Sequence, residues 1–177
     1  EPGFINFPQL CKNIIINDCT NDVVPLQIAL SNKTTMEVFN YHNLIPGGAI
    51  HTLGKAVDFK GDPFEPVIKQ MVLSFRVDDL IKQFQAPAPN HIKIDVDGIE
   101  FDVLRGAEDA LGQPGFKSVI LELEEGSKDA AEITDYLIAR GLQFRSKHRF
   151  QLADEGSGLS NLYNYVFEKV AVAQHSD

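Results

Sequence analysis

Residues 91–108 constrain the fold more than any other stretch, because their periodicity changes across a tight turn. Residues 92–96 form a short apolar run that predicts a buried β-strand. Asp97 and Gly98 are typical of a turn. Beyond it, apolar residues recur at three- and four-residue steps, which predicts a helix. These apolar residues are Val103, Leu104, Ala107 and Leu111. A strand, a tight turn and a helix form half of a βαβ unit, so we predict an α/β fold with a parallel central strand.

Three acidic side chains, Asp95, Asp97 and Glu100, lie at the carboxyl end of this predicted strand. Ligands of open α/β sheets bind outside that end. Asp95 falls inside the apolar run, and because a buried carboxylate needs a partner, a functional role is favoured there. For Asp97 and Glu100 two interpretations stay open. Asp97 could serve only the turn, and Glu100 could serve only the positive end of the following helix.

The rest of the chain alternates between helical and strand-like patterns, which predicts a doubly wound α/β sheet. Helices are expected over residues 6–17, from 77 onward, over 98–112 and over 129–140, and strands over 23–30, 35–41, 68–77, 118–123, 142–150 and 161–172. A turn at 31–33 predicts a hairpin of the first two strands, and the last two strands are expected to pair antiparallel. Asp78 is a candidate N-cap. We predict one domain over 1–173 and a flexible tail over 174–177.

The long segment 42–66 is rich in Gly and Pro and lacks a sustained period, which predicts a functional or mobile loop. Because it lies between two predicted strands, we expect it to cover the active site. Its histidines are candidate substrate contacts, and His51 is our choice among them. Its polar residues are His42, Asn43, His51, Thr52, Lys55, Asp58 and Lys60. Within the apolar run of residues 118–123, Glu122 is a second candidate for substrate binding.

Composition narrows the classes of partner and compartment. The net charge of −9 argues against non-specific binding to nucleic acid or anionic membrane, since both need a basic face. No apolar run approaches the ~20 residues that span a bilayer. Cys11 and Cys19 are expected to be free thiols without the spacing of a metal site, which suits a cytoplasmic protein. We therefore predict no metal ligand.

The central segment resembles the signature of FkbM-type methyltransferases. That signature usually runs Lys-Ile-Asp-Val-Glu-Gly-x-Glu, followed by Leu-x-Gly-Ala, and residues 93–107 read KIDVDGIEFDVLRGA. Asp97 stands where the family more often has Glu. The similarity continues over residues 119–124, VILELE, and upstream at Glu1-Pro2 and the helix after it. The resemblance therefore covers most of the chain.

The resemblance implies a Rossmann-like methyltransferase sheet with an antiparallel C-terminal hairpin. It implies S-adenosylmethionine as cofactor and transfer of its methyl group to a hydroxyl of a sugar or a secondary-metabolite-type substrate. A carboxylate near that hydroxyl can take its proton, and Asp95 is the candidate. Asp97 and Glu100 would orient substrate or cofactor. In the cofactor site, Glu1 would bind the ribose hydroxyls, and Ala29 and Leu30 would lie near the adenine.

Family members carry a Gly-rich turn upstream of the Glu-Pro turn, and this sequence begins at Glu1. We therefore expect an N-terminally truncated methyltransferase fold with weak or no cofactor binding. We also expect it to fold, with homodimerisation over the exposed sheet edge as one way to cover that edge.

Two alternative functions stay open from the sequence. Asp95-Val-Asp97-Gly98 is similar to the Asp-x-Asp-Gly of haloacid-dehalogenase-type enzymes, which would make the protein a Mg²⁺-dependent phosphatase. Only 80 residues follow Asp97, and that motif normally opens its domain. The second alternative is a non-catalytic interaction domain with a decayed site.

Overall fold

A computed structural model describes residues 1–57, 61–149 and 161–170 as an α/β chain. In chain order, its elements are α1 (Asn6–Ile16), β1 (Ala29–Leu30), β2 (Thr35–Tyr41), β3 (Thr52–Leu53), β4 (Ile68–Phe75), α2 (Val77–Phe84), β5 (His91–Ile94), α3 (Glu100–Gly106), α4 (Glu108–Gly112), β6 (Ser118–Glu124), α5 (Lys128–Ile138), β7 (Leu142–Arg149) and β8 (Leu162–Lys169). Three sequence predictions lie outside the described residues: the loop positions Asp58 and Lys60 and the tail 174–177.

The chain divides into two compact units. The first contains Glu1–Gln85 and Asp97–Ala107, and the second contains Ala86–Val96 and Glu108–Asp177. Each unit has its own four-stranded mixed sheet. The α/β class predicted from the sequence is therefore confirmed as a mixed α/β architecture.

The first unit is built around β4, which pairs parallel with β1 and antiparallel with β2 in the order β1-β4-β2-β3. One sheet face carries the core, because alternate residues of a strand point to the same side. Its buried members are Ala29, Phe39, Tyr41 and Val72, with Ile5 and Leu53 packed against them.

Two strand predictions for the first unit were wrong, one in the length of the strand and one in its pairing. The strand predicted over 23–30, with the strand proper starting after Pro25, is reduced to Ala29–Leu30. The hairpin around 31–33 does not form, since β1 pairs with β4 while β2 pairs with β4 and β3. Local β-propensity identified strand-forming residues here, but the ladder partners come from far along the chain.

The helices of the first unit follow the apolar periodicity more closely. The helix predicted over 6–17 is confirmed as Asn6–Ile16. The N-cap prediction for Asp78 was wrong, because Arg76 occupies that position and makes no side-chain cap. Asp78 lies in the first turn of α2, fully buried, and its Oδ2 pairs with Arg76 Nη2 at 3.1 Å.

The segment predicted as one helix over 98–112 is two helices in the structure. The break is at Ala107, whose φ of −110° and ψ of 18° leave the helical range. Immediately before it, Gly106 lies so close to the Ser31 carbonyl that a Cβ atom would come within 2.0 Å of that oxygen. This approach explains why glycine stands at the end of α3.

The second unit is built around β6, which pairs parallel with β5 and antiparallel with β8. Its strand order is β5-β6-β8-β7, so β8 lies between β6 and β7 and pairs antiparallel with both. Residues 150–160, which connect the last two strands in sequence, are outside the described ranges. Along β6, buried Val119, Leu121 and Leu123 alternate with less buried residues, which sets one apolar face toward the core. Among the described residues, no helix is both long and apolar enough to cross a membrane.

Candidate functional site

Asp97 holds a strained backbone turn in the first unit. Its Oδ2 accepts a hydrogen bond from the backbone N–H of Ile50 at 2.7 Å. Ile50 has a φ of 67°, in the left-handed region that a β-branched residue rarely adopts. Backbone strain of this kind persists only where the surroundings hold it, and it is concentrated at functional sites. The acid of the central motif therefore holds a specific point of the long loop.

His51 follows this turn and is buried, with 9% of its surface exposed. Its ring packs against Tyr41 at a centroid distance of 5.0 Å and against Phe39 at 6.0 Å. Nδ1 lies 3.4 Å from the backbone N–H of His42, which donates to it. Nε2 is buried without a protein partner among the described residues. Native proteins satisfy nearly all such atoms with protein, water or ligand, so Nε2 is a candidate contact for a bound molecule.

Burial lowers the pKa of His51, because removal from water disfavours the charged ring. The carboxylates of Asp97 and Glu1 oppose this shift, and His42 adds to it. The ring is therefore neutral at pH 7. A neutral imidazole has one nitrogen that donates and one that accepts.

Tyr41 connects His51 to the amino-terminal turn. Its fully buried hydroxyl accepts from the Phe4 backbone N–H at 2.7 Å and hydrogen-bonds with Gln70 Oε1. Burial raises the pKa of Tyr41. The hydrogen bond from the Phe4 backbone opposes this shift and Glu1 adds to it, and because the net shift is upward the phenol stays protonated. Glu1 itself accepts the Gly3 N–H through Oε1 at 2.7 Å. The acid that the sequence assigned to ribose binding thus lies in a turn fixed by the core of the first unit.

Ser74 provides a second buried polar atom without a protein partner in the described residues, its Oγ. Ser74 is 2% exposed and stands beside Ala29 in the parallel pairing of β1 and β4. Leu30, the next residue of β1, stands beside Phe75 in the same way. Ala29 and Leu30, which the sequence assigned to the adenine, therefore lie on the strand next to the unsatisfied hydroxyl of Ser74.

Asp95 lies in the second unit, and the structure corrects its predicted setting. The strand predicted over 92–96 ends at Ile94, so Asp95 follows the strand. Its side chain is 53% exposed and pairs with Lys93 Nζ at 2.5 Å. The premise that this carboxylate is buried inside a strand was wrong. The next residue, Val96, is 39% exposed, and the bend follows at Asp97 and Gly98.

The remaining acidic candidates have different settings. Glu100 lies in the first turn of α3, and its Oε1 accepts the Gly98 N–H at 3.2 Å, so both of its interpretations stay open. Gly98 has a φ of 88°, which suits the predicted turn. Glu122 lies half-buried on β6, between the buried Leu121 and Leu123, and is paired in register with Asn164 of β8. The roles of both acids in binding stay predictions.

The sequence did not single out Ile50, Ser74, Tyr41 or Gln70. A signal existed for Ser74 and Gln70, because both alternate with Val72 on the inward face of a strand that otherwise reads as apolar. No local signal marks Ile50, whose role depends on a partner 47 residues away. Across the described ranges, no group of three or more His, Cys, Asp or Glu side chains is arranged to hold a metal ion.

Comparison with known proteins places these features in context. Residues 3–150 match the family described as methyltransferase FkbM domain. In the solved structures, the fold is similar to the crystal structure of methyltransferase FkbM from Methylobacillus flagellatus KT, with a TM-score of 0.58 and 17% sequence identity. The alignment covers 95% of this chain and 35% of that one, so the chain spans about a third of that protein's length. No curated protein matches the sequence.

Proposed function

Because this chain belongs to the FkbM methyltransferase domain family, we propose that the protein transfers the methyl group of S-adenosylmethionine to a hydroxyl oxygen. The substrate class we propose is a sugar or a secondary-metabolite-type molecule. One observation carries the proposal beyond the family: Asp97, from the matching motif, accepts the Ile50 N–H and so joins that motif to the loop that presents His51. This contact groups an acid, a neutral imidazole and a strained turn in the first unit.

The residues of the first unit suit a nucleoside-bearing cofactor in two respects. The Glu1 carboxylate uses one oxygen for Gly3, and a carboxylate has acceptor capacity for the paired hydroxyls of a ribose. Ser74 Oγ lies unsatisfied beside Ala29, where a polar edge of an adenine could pair with it. When bound, the cofactor supplies an electron-poor methyl carbon. We propose that the fold is of the Rossmann-like, doubly wound methyltransferase type, with an antiparallel C-terminal hairpin.

The protein residues supply orientation and a proton acceptor. Holding the acceptor oxygen in line with the methyl carbon contributes much of the rate in such displacements. The bound cofactor would supply the methyl group and leave as the demethylated thioether. In the second unit, Asp95 is proposed to take the proton that the acceptor hydroxyl loses on methylation, because its carboxylate is exposed at the end of β5. Asp97 and Glu100 are proposed to orient bound groups, and His51 and Glu122 to contact the substrate.

The test is a methyl-transfer assay on the full-length protein, with labelled S-adenosylmethionine and a panel of sugars and polyols. Asp95→Asn is expected to lower kcat by about 10²- to 10⁴-fold, since it removes the proton acceptor. Glu132→Gln is the matched control, because it breaks another exposed ion pair of the second unit, Lys128–Glu132. Absence of methyl transfer from the whole protein would overturn the function. Equal kcat for Asp95→Asn and wild type would overturn only the role of Asp95.

Location and assembly are proposed on separate grounds. Cys11 and Cys19 are free thiols, which suits a reducing cytoplasm. A homodimer is proposed because each sheet has edge strands, β1 and β3 in the first unit, that another chain could cover. Light scattering of the purified chain would decide between monomer and dimer.

A further inference from the structure

The starting point is the buried nitrogen of His51. Nε2 has no protein partner among the described residues, although the residue is only 9% exposed. Burying a polar nitrogen without a hydrogen bond is unfavourable, so native proteins satisfy nearly all such atoms with protein, water or ligand. The neighbouring rings of Tyr41 and Phe39 contact the imidazole and fix its plane.

The hydrogen bond at the other ring nitrogen, Nδ1, determines which of the two nitrogens carries the proton in the neutral ring. The His42 backbone N–H donates to Nδ1 at 3.4 Å, so Nδ1 is the acceptor of the neutral ring. The single proton then lies on Nε2. His51 therefore presents a hydrogen-bond donor at its unsatisfied atom, and a proton acceptor would require the opposite tautomer.

The backbone on the other side of His51 is held by Asp97. Ile50 keeps its left-handed φ of 67° while its N–H donates to Asp97 Oδ2 at 2.7 Å. On the following side, Thr52 begins β3, is paired in register with Asn40 and donates its hydroxyl to the Lys55 carbonyl at 2.9 Å. The ring is thus positioned by the Asp97–Ile50 hydrogen bond on its N-terminal side and by strand β3 on its C-terminal side.

The charges around the ring limit what its donor can bind. The groups that act electrostatically on His51 are the carboxylates of Asp97 and Glu1 and the imidazole of His42. Two nearby carboxylates disfavour an anionic ligand group. An uncharged oxygen, as in a polyol hydroxyl, ether or carbonyl, fits a neutral donor in this field.

We propose that His51 is a specificity-determining residue whose Nε2–H donates to an uncharged oxygen of a polyol-type methyl acceptor, and that Asp97 is the residue that positions it. The proposal rests on the proposed methyltransferase function, because it names the chemistry by which that substrate is recognised. Asp97 acts here through the Ile50–His51 backbone.

The first experiment measures the tautomer directly in the purified chain. Long-range ¹H–¹⁵N correlation spectra at pH 7.5 are expected to show His51 protonated at Nε2 and not at Nδ1. The probes are methyl α-D-glucopyranoside, myo-inositol and glycerol, with sodium sulfate as the anionic comparison. At least one polyol should shift the Nε2 resonance, and sulfate should not. A proton on Nδ1, a shift with sulfate alone, or no shift with any polyol would each overturn the proposal.

Substitutions then separate a donor from a general base. The side-chain amide of His51→Gln can place an N–H near the former Nε2, whereas His51→Phe cannot donate. Since an uncharged hydrogen bond contributes modestly, the Kd of the bound polyol should rise about tenfold in His51→Phe and less than about threefold in His51→Gln. Equal losses in the two variants would overturn the donor role, because glutamine cannot replace a base.

The positioning role of Asp97 has its own matched pair. Asp97→Asn keeps an oxygen that can accept the Ile50 N–H, and Asp97→Ala does not. The Nε2 resonance should stay near wild type in Asp97→Asn and change in Asp97→Ala, and the polyol Kd should rise in Asp97→Ala. An unchanged Nε2 resonance in a folded Asp97→Ala variant would overturn the positioning role.

The outcomes also distinguish this inference from the function on which it rests. None of these measurements requires methyl transfer. An Nδ1-protonated ring would overturn the inference and leave the methyltransferase proposal intact. An Nε2-protonated ring that responds to polyols, in a whole protein that transfers no methyl group, would overturn the function alone.

Discussion

The two units differ in what they bury. The buried polar and charged side chains of the described residues all lie in the first unit, and they are Asn40, His51, Thr52, Ser74 and Asp78. The buried side chains of the second unit, within the same described ranges, are apolar. Polar groups are costly to bury, and they are tolerated where a partner or a function requires them. The difference indicates that the second unit is chiefly a packed core and that the first carries the unusual chemistry.

The same contrast appears at two acids separated by one residue. Asp95 belongs to the second unit, where it is exposed and paired with Lys93. Asp97 belongs to the first, where it accepts the N–H of a strained residue. An exposed ion pair contributes little to stability, whereas a carboxylate that holds strained backbone determines the local conformation. Two acids of one motif therefore have different roles: Asp95 forms an exposed ion pair, and Asp97 holds the strained backbone.

The largest effect is expected in the core of the second unit. Phe167→Ala should lower the free energy of unfolding by about 3–5 kcal/mol, because it removes a fully buried aromatic side chain and leaves a cavity. Phe144→Ala is the matched control, since Phe144 contacts Phe167 at a centroid distance of 5.8 Å but is 47% exposed. Urea unfolding measures both. Equal losses would contradict the view that this core depends on its buried apolar face.

The next effect concerns the close approach in the first unit. Gly106→Ala should be destabilising by about 1–3 kcal/mol, because its Cβ would lie 2.0 Å from the Ser31 carbonyl oxygen and force the backbone to move. This outweighs a gain of at most about 1 kcal/mol in helix propensity. In the second unit, Gly112→Ala meets nothing within 4 Å and should be neutral or slightly stabilising. Thermal melting of both variants, compared at one scan rate, would test this. Similar melting temperatures would contradict the prediction.

A smaller effect of opposite sign is expected at Ser74. Ser74→Ala removes a buried hydroxyl that has no protein partner, so the chain should become more stable by about 1 kcal/mol. Ser118→Ala in the second unit removes a hydroxyl that is hydrogen-bonded to His91 Nδ1 at 2.7 Å. The free energy of unfolding of this variant should therefore fall by about 0.5–1.5 kcal/mol. The measurement is the urea midpoint at constant m-value. A loss of stability in Ser74→Ala would mean that its hydroxyl is satisfied within the folded chain.

The smallest effect is a pH dependence carried by His51. Burial lowers its pKa in the folded state, so the unfolded chain binds the proton first as the pH falls below the ordinary value of 6.5. Stability contributed by the neutral ring is complete above pH 6.5 and declines from there toward the folded-state pKa. His51→Gln should therefore show a shallower loss of stability over this interval than wild type. Parallel urea-midpoint curves for the two proteins would contradict the assignment.

A structural feature could be predicted from the sequence where its physical cause lies within the same segment of the chain. The helix at Asn6–Ile16 and the strand at Thr35–Tyr41 follow from periodicity within each segment, and both were predicted close to their observed bounds. The hairpin predicted around 31–33 was wrong, because β1 takes its partner from β4, about 45 residues along the chain. The burial assigned to Asp95 was also wrong, since the strand before it ends at Ile94, two residues before the end of the apolar pattern.

The candidate site shows the same division. The sequence alone identified the family motif, the α/β class, and His51 and Asp97 as residues of interest, because residue type and spacing carry that information. Only the tertiary structure decided that Asp97 holds Ile50 and that Nε2 of His51 is left as a buried donor. These features depend on contacts across 47 residues and on the exclusion of water, and neither is encoded in any local pattern.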